Sequence, residues 1–474
     1  MLFSATALLL TSAALPVTGV VPASALHESA SIAYVRVSDR GADPLDAATA
    51  SGIASASDAD PAVQTLCYPS AFRFDPARGV EVLDPALLAT MTGPSLLSNV
   101  SLLTAGQLKS FVADHPETVH QLLYDPPAGA QVSRWWNDMA SAQRHTLTVG
   151  APQVVGNLDG VPVSVRDAAN RAYLRNTTRA ILDRLEDGVG RGVQRTLLRD
   201  LHMLREIDAA LGERDSMPQR SLLTLDTQYP GRAAIALGDL ATADYVTFIV
   251  PGMFYSVDAH MRDWTDAAAR IYDEQTGFEG LFQEHRTVAT VGWIGYQTPH
   301  MLNIGTLDLA EEGANYLANA IDGMRSVQDT DPFISVIAHS YGTTAAMLAL
   351  SDGSMRVDAL ALVGSPGSDA QSVRDLDVPA RNVYVGEAGM DPIVDSAFFG
   401  SDPGAASFGA KKLSVAGSVD RLTKEVLNPS RGHNDYFTPG SEAMRNMALV
   451  GIDKGRWVTD GSADDAEKTL ALGR

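Results

Sequence analysis

The sequence predicts an α/β fold: an eight-stranded, mostly parallel sheet with flanking helices, preceded by a mainly helical N-terminal region. Three observations point there. Phe333-Ile-Ser-Val-Ile-Ala-His-Ser-Tyr-Gly-Thr-Thr-Ala-Ala-Met347 runs from an apolar strand through a small-x-Ser-x-Gly turn into a helix. Short β-branched runs recur from residue 222 onward, mostly separated, from the third run on, by helix-length segments. A carboxylate and a histidine then follow Ser340 in order, each in a polar loop beyond a strand-like run.

The strands can be taken in turn. Leu222–Asp226, a Gln-Tyr-Pro-Gly turn and Ala233–Leu237 read as an antiparallel hairpin. Val246–Val250, Val288–Ile294, Ile334–Ala338, Ala359–Val363, Val383–Val385 and Lys412–Val415 complete the eight. Asp258–Tyr272 and Leu307–Arg325 carry apolar residues at helical spacing, as crossover helices between parallel strands require. Upstream, Ser98–Gly212 shows little strand signal and several helical periods, including Ala105–Ala113 and Asn176–Glu213.

The turn at Ser340 is a nucleophile elbow, where Ala338 and Gly342 are small so that the backbones can pass. Ala338 departs from the usual Gly by one methyl. The α/β-hydrolase fold supplies its triad in the order Ser, acid, His, with the nucleophile after the fifth strand, the acid after the seventh and the base after the eighth. His433 is the only histidine beyond Ser340 and is therefore the candidate base. Asp391, the first carboxylate past the seventh strand and its following turn, is the candidate acid, with Asp395 in reserve and Glu387 behind it. The oxyanion donors expected are the backbone N–H of Tyr341, just after the nucleophile, and that of Met253, after Pro251-Gly252 at the end of the third strand. Segments leaving the third, fourth and seventh strands should border the crevice, which makes Phe254, Tyr255, Trp293 and Tyr296 candidate pocket residues, with Phe398 and Phe399.

Several of these residues also have plainer readings. A Ser before a helix is often only a cap. His339 reads as a packed strand-end residue whose side chain points away from Ser340, and Ser365 is disqualified as a nucleophile by Pro366, which has no N–H. Trp135 and Trp136 read as core. Gly156-Asn-Leu-Asp-Gly-Val-Pro162 reads as a tight turn clamping helices, with Gly156 and Gly160 for unusual φ; contact of Asn157 or Asp159 with the active site is the alternative.

Over about Leu97–Asp453 the chain resembles a bacterial α/β-hydrolase family long catalogued as a domain of unknown function. The resemblance is carried by Trp135-Trp-Asn137, the 156–162 turn, Arg166-Asp-Ala-Ala-Asn-Arg171, Ala234–Asp239, Val250-Pro-Gly-Met253, Gly292-Trp-Ile-Gly-Tyr296 and the Ser340 and His433 loops. It implies a hydrolase with an upstream helical region and with Ser340, Asp391 and His433 as nucleophile, acid and base. It supplies no substrate.

Length and composition bound the rest. The 474 residues suit one catalytic domain, placed at 221–453, behind a helical region at 97–220. Residues 1–25 read as a signal peptide ending in Ala23-Ser-Ala25, 26–96 as a low-complexity linker and 454–474 as an acidic tail. Export is the expectation. An uncleaved anchor or cytoplasmic retention is the rival, because no Lys or Arg precedes Arg36. A net charge of −21 argues against a nucleic-acid partner. Cys67 is the single cysteine, so no intrachain disulfide can form, and no His/Cys clustering suggests a metal or any other cofactor.

The function expected is therefore a serine hydrolase acting on a small-molecule carboxylic ester or related acyl bond through an acyl-enzyme. An acyltransferase on the same fold, or a non-catalytic interaction protein retaining it, are the alternatives.

Overall fold

The computed structural model describes residues 68–76, 80–213, 217–300, 303–328, 330–394 and 396–462. The expected signal at 1–25, Cys67, the reserve acid Asp395 and the tail beyond 462 lie outside the described residues.

A hairpin of β1 (Phe72–Asp75) and β2 (Val80–Leu83) leads into seven short helices: α1 (Pro85–Leu88), α2 (Gly93–Val100), α3 (Ala105–Asp114), α4 (Pro116–Tyr124), α5 (Gly129–Asp138), α6 (Ser141–Gly150) and α7 (Pro152–Val155). Their starts are written locally. Thr104 caps α3 in a reciprocal box with Gln107, and Pro opens α1, α4 and α7. They enclose a core of their own, with Leu97, Leu108, Trp136, Leu147 and Val155 buried. The linker expected over 26–96 is corrected at its C-terminal part. β1, β2, α1 and the start of α2 fall inside it, because Ala71, Leu88, Met91 and Leu96 join that core and Asn99 bonds to Ala71 N and Pro69 O.

Two long helices follow, α8 (Val163–Glu186) and α9 (Arg191–Leu211). The single periodic stretch expected over 176–213 is broken between them, where Gly188 takes a φ of +83°.

The main sheet contains β3 (Arg220–Asp226), β4 (Arg232–Leu237), β5 (Tyr245–Val250), β6 (Val288–Ile294), β7 (Phe333–His339), β8 (Ala359–Val363), β9 (Val383–Gly386) and β10 (Lys411–Lys412) in the spatial order β10-β9-β8-β7-β5-β6-β4-β3. β4 is antiparallel to β3 and β6, and all other neighbours are parallel. Seven strands match sequence expectations, and the eighth, β10, overlaps the expected Lys412–Val415 only at Lys412. Leu413 N still reaches Val385 O, but Ser414 N turns to Thr459 O and leaves the sheet. Helices α11 (Asp308–Arg325) and α12 (Tyr341–Ser351) cover one face, while α10 (Val257–Phe282) and α13 (Glu442–Gly451) cover the other with α9. A small hairpin, β11 (Ser418–Val419) and β12 (Val426–Leu427), lies before α13.

An open sheet edge presents unpaired N–H and C=O groups, and β3 is such an edge. Side chains of the helical region saturate it. The Asn157 amide accepts from Leu225 N at 2.7 Å and donates to Leu225 O at 2.9 Å, as a neighbouring strand would. Asp167 accepts from Leu222 N, while Asn170, Arg166 and Arg171 donate to the carbonyls of Leu222, Leu223 and Arg220. The 156–162 turn packs between helices as expected, with Gly160 against α5, Gly156 O accepting from Arg166 and Asn170 of α8, and Asp159 paired with Arg166 at 2.7 Å. The 156–171 motif also clamps the helical region onto the sheet. Gly160 has the expected positive φ of +100°, whereas Gly156 has an ordinary one of −68° and is small because the Asn170 side chain occupies its Cβ space.

Candidate active site

Ser340 stands between β7 and α12 with φ 55° and ψ −132°, a combination that is forbidden ground for most non-glycine residues and costs about 1–3 kcal/mol. Close packing holds it there. A Cβ on Gly252 would lie 2.3 Å from Ser340 Cβ, and one on Gly342 would lie 2.5 Å from Pro251 O.

The loops beyond β9 and β10 bring the other two candidates to the serine. His433 Nε2 lies 2.8 Å from Ser340 Oγ, and its Nδ1 lies 2.9 Å from each Asp391 oxygen. The carboxylate partner fixes the tautomer: Nδ1 carries the proton and Nε2 faces the hydroxyl as an acceptor. The Asp391 side chain is fully buried and that of His433 is 21% exposed, so the base opens to solvent while the acid does not. Burial by itself would raise the Asp391 pKa. Hydrogen bonds from His433, from Ile393 N at 2.9 Å and from Tyr436 Oη at 2.7 Å outweigh it and hold the carboxyl below its ordinary value.

Three residues support the site: Tyr436 and Gly364, which have no assigned role in the sequence reading, and His339, which reads there only as packing. Tyr436 accepts from Ala388 N while donating to Asp391, so it ties the acid loop to the base loop. Gly364 has a φ of +61°, and a Cβ there would lie 2.9 Å from Asp391 Oδ2 and 3.1 Å from His433 Nδ1. His339 is buried as expected, but instead of turning away from the site it donates Nε2–H to His433 O at 2.7 Å and its ring lies 4.7 Å from the His433 ring. The only advance signal was position: Tyr436 lies three residues past His433 in its loop, and Gly364 immediately precedes Ser365. Ser365 is engaged with Thr343 Oγ1 at 2.7 Å and Gly367 N at 3.1 Å.

The amides expected as oxyanion donors, Met253 N and Tyr341 N, make no hydrogen bond among the described residues, whereas their neighbours Ser340 N and Phe254 N bond to Val363 O and Pro299 O. The aromatic candidates divide. Phe254 is 52% exposed beside Met253, and Tyr255 packs at the site's flank against Trp264 and His260. Trp293 and Tyr296 are corrected. Both are buried and stacked on each other at 5.8 Å: Trp293 lies on β6, where every residue is interior, and Tyr296, two residues past the strand, packs its ring against Gly313 of α11. Phe399 packs on the Tyr341 ring at 5.3 Å, and Phe398 stands exposed against Phe399. Among the described residues no group of three or more His, Cys, Asp or Glu is arranged to hold a metal ion. No described helix is long and apolar enough to cross a membrane.

Sheet order and elbow define an α/β-hydrolase. The fold is that of the α/β-hydrolases, and the model of a family described as Alpha/beta hydrolase matches residues 226–401. An uncharacterized protein of Mycobacterium tuberculosis H37Rv is 30% identical over 381 residues, covering 70% of this chain and 57% of the relative, so the chain spans little more than half of that protein's length. An uncharacterized protein of Mycobacterium bovis is 29% identical over 217 residues, covering 44% of this chain and 79% of the relative. Among solved structures, an α/β serine hydrolase without lid from Xanthomonas campestris is 17% identical, with a TM-score of 0.31, over 51% of this chain and 97% of that one. A dienelactone hydrolase from Anabaena variabilis is 13% identical, with a TM-score of 0.33, over 52% of this chain and all of that one.

Proposed function

We propose that the chain is a serine hydrolase that cleaves a carboxylic ester through an acyl-enzyme, with Ser340 as nucleophile, His433 as general base and acid, and Asp391 as the group that orients the imidazole. One observation carries this reading: the unbroken chain from Ser340 Oγ to His433 Nε2 at 2.8 Å and from His433 Nδ1 to Asp391 at 2.9 Å. Such a chain removes the proton that makes a neutral serine a poor nucleophile.

Ser340 Oγ forms a bond to the ester carbonyl carbon as its proton passes to His433 Nε2, and the carbonyl π-electrons move onto oxygen. The amides of Met253 and Tyr341 receive that oxyanion. Collapse expels the alkoxide, which takes the proton from His433. Water then repeats the sequence on the acyl-enzyme, releasing the acid and restoring Ser340. Phe254 beside one donor, and Phe399 packed on the residue that supplies the other, favour an uncharged, apolar acyl group. Each buried methylene contributes about 0.8 kcal/mol, so specificity constants on neutral nitrophenyl esters should rise from acetyl towards hexanoyl.

The test is covalent labelling. A fluorophosphonate should modify Ser340 alone, and Ser340→Ala should abolish both the adduct and ester turnover. Folded wild-type protein that takes no label, or an adduct that survives the substitution, would overturn the mechanism.

A further inference from the structure

The residue after the Met253 donor is a structural anomaly. Phe254 is bulky, half exposed and held at a φ of +69°, where an aromatic residue is strained and where no packing demand of its own side chain explains the conformation. Strain of that kind persists only where neighbours over-determine it.

The neighbours are in one turn, beyond the end of β6. Tyr296 Oη donates to Pro251 O at 2.8 Å, Thr298 Oγ1 donates to Tyr255 O at 2.6 Å, and Phe254 N donates to Pro299 O at 3.1 Å. These three bonds bracket Met253 from two residues before it to two residues after. Between them the Met253 amide, like those of Gly252 and Tyr255, has no partner among the described residues, and it is the one that follows the Pro251-Gly252 turn at the end of β5. The Tyr296 hydroxyl has little freedom to point elsewhere. Its ring lies nearly parallel to Trp293, at 17°, and fills the space where Gly313 of α11 lacks a side chain, since a Cβ there would come within 2.8 Å of the ring. Burial also holds the phenol well above its ordinary pKa, so the group stays a donor. The accepting Pro251 carbonyl lies, in turn, against Gly342 of the elbow helix.

We propose that the Tyr296–Pro299 turn is the positioning device of the oxyanion hole, with Tyr296 its principal residue, fixing the strained Gly252-Met253-Phe254 backbone so that the Met253 N–H is aimed before substrate arrives. This rests on the serine-hydrolase reading above. Tyr296 touches no substrate and acts through Met253. A donor aimed in advance stabilises the transition state more than the ground state, so its misalignment should appear in kcat rather than in KM.

The experiment uses the full chain with Tyr296→Phe and, as a variant that leaves the ring packing untouched, Thr298→Val. With 4-nitrophenyl butyrate, kcat should fall about 10- to 100-fold in Tyr296→Phe and less in Thr298→Val, with KM within about twofold of wild type; removal of a whole donor costs about 10²–10³. The affinity for an alkyl trifluoromethyl ketone, whose hemiketal oxyanion would occupy the same two amides, should fall by the same factor as kcat/KM across the series. Wild-type kcat in both folded variants, or kcat losses unaccompanied by weaker ketone binding, would overturn the proposal. The serine-hydrolase reading fails on a different result, namely wild-type protein that takes no fluorophosphonate.

Discussion

His339 and His433 lie ring against ring, 4.7 Å between centroids, with the Nε2–H of the first bonded to the backbone carbonyl of the second. The pair is asymmetric in its surroundings. His339 is 2% exposed, and its Nδ1 has no hydrogen-bond partner among the described residues. Burial, and then repulsion by His433, push its pKa down to about 4 from 6.5. The folded protein therefore holds His339 neutral over a range in which the unfolded chain binds a proton. Stability should be complete above pH 6.5 and decline as the pH falls towards 4, by up to about 3 kcal/mol from this one group. Chemical denaturation at intervals between pH 7 and pH 4.5 should show a shallower decline for His339→Gln, which keeps a donor and cannot titrate. Parallel pH dependences would refute the assignment.

Asp391, the proposed acid, is held ionised by its donors, and Tyr436 can be removed without touching the proposed triad. Tyr436→Phe takes away a hydrogen bond that favours the charged carboxylate, so the Asp391 pKa should rise. The acid limb of kcat/KM should then move to higher pH, with a modest loss of rate at pH 8. Asp391→Asn should fold and lose up to about 10⁴-fold in turnover, the scale seen when a triad imidazole is left in the wrong tautomer. An unmoved acid limb in Tyr436→Phe would separate the phenol from the titration of the site.

Gly364 is a steric counterpart to these electrostatic tests. Alanine there must adopt a φ of +61° and place its methyl 2.9 Å from an Asp391 oxygen and 3.1 Å from His433 Nδ1. The contact to be displaced is the one that aligns the base. Gly364→Ala should therefore cost at least about 10²-fold in kcat, a typical penalty for a catalytic group moved by about 1 Å. Steady-state kinetics together with a thermal melt will distinguish this from unfolding. A folded variant with wild-type turnover would show that the site can relax.

What the sequence made legible follows from the range of the interactions. The strands, the crossover helices and the elbow are short-range patterns, and all three are where periodicity and the small-x-Ser-x-Gly spacing put them. His433 and Asp391, which the structure places beside Ser340, could be proposed from sequence because chain order restricts the choice to one histidine and a few carboxylates. Trp293 was misplaced because β6 is interior at every position, so alternation carries no information about which side chain meets the crevice, and Tyr296, two residues past the strand, stacks on it in the same core. The contact of His339 with His433 spans 94 residues of sequence, and nothing local to either residue encodes it. The role of the 156–171 motif was hidden for a different reason: its polar side chains mimic a missing strand, which leaves no hydrophobic period to detect.

That mimicry gives the final prediction. Asn157 satisfies both backbone groups of Leu225, its carbonyl oxygen taking Leu225 N at 2.7 Å and its amino group reaching Leu225 O at 2.9 Å. Asn157→Ala would strip both partners at once, and an unpaired buried polar group costs about 1–3 kcal/mol. The loss should be smaller than the sum for two such groups where water reaches the half-buried edge, so a destabilisation of about 2–3 kcal/mol is expected. The site itself lies at the C-terminal ends of β5 and β7, separated laterally from β3 by β4 and β6. Turnover per folded molecule should therefore stay at the wild-type level, which distinguishes the clamp from the alternative in which Asn157 contacts substrate. The bared edge should also pair with itself between molecules. Denaturation midpoints, light scattering at raised protein concentration and kcat on a nitrophenyl ester measure the three consequences separately. A variant as stable as wild type but impaired in kcat would return Asn157 to the active site.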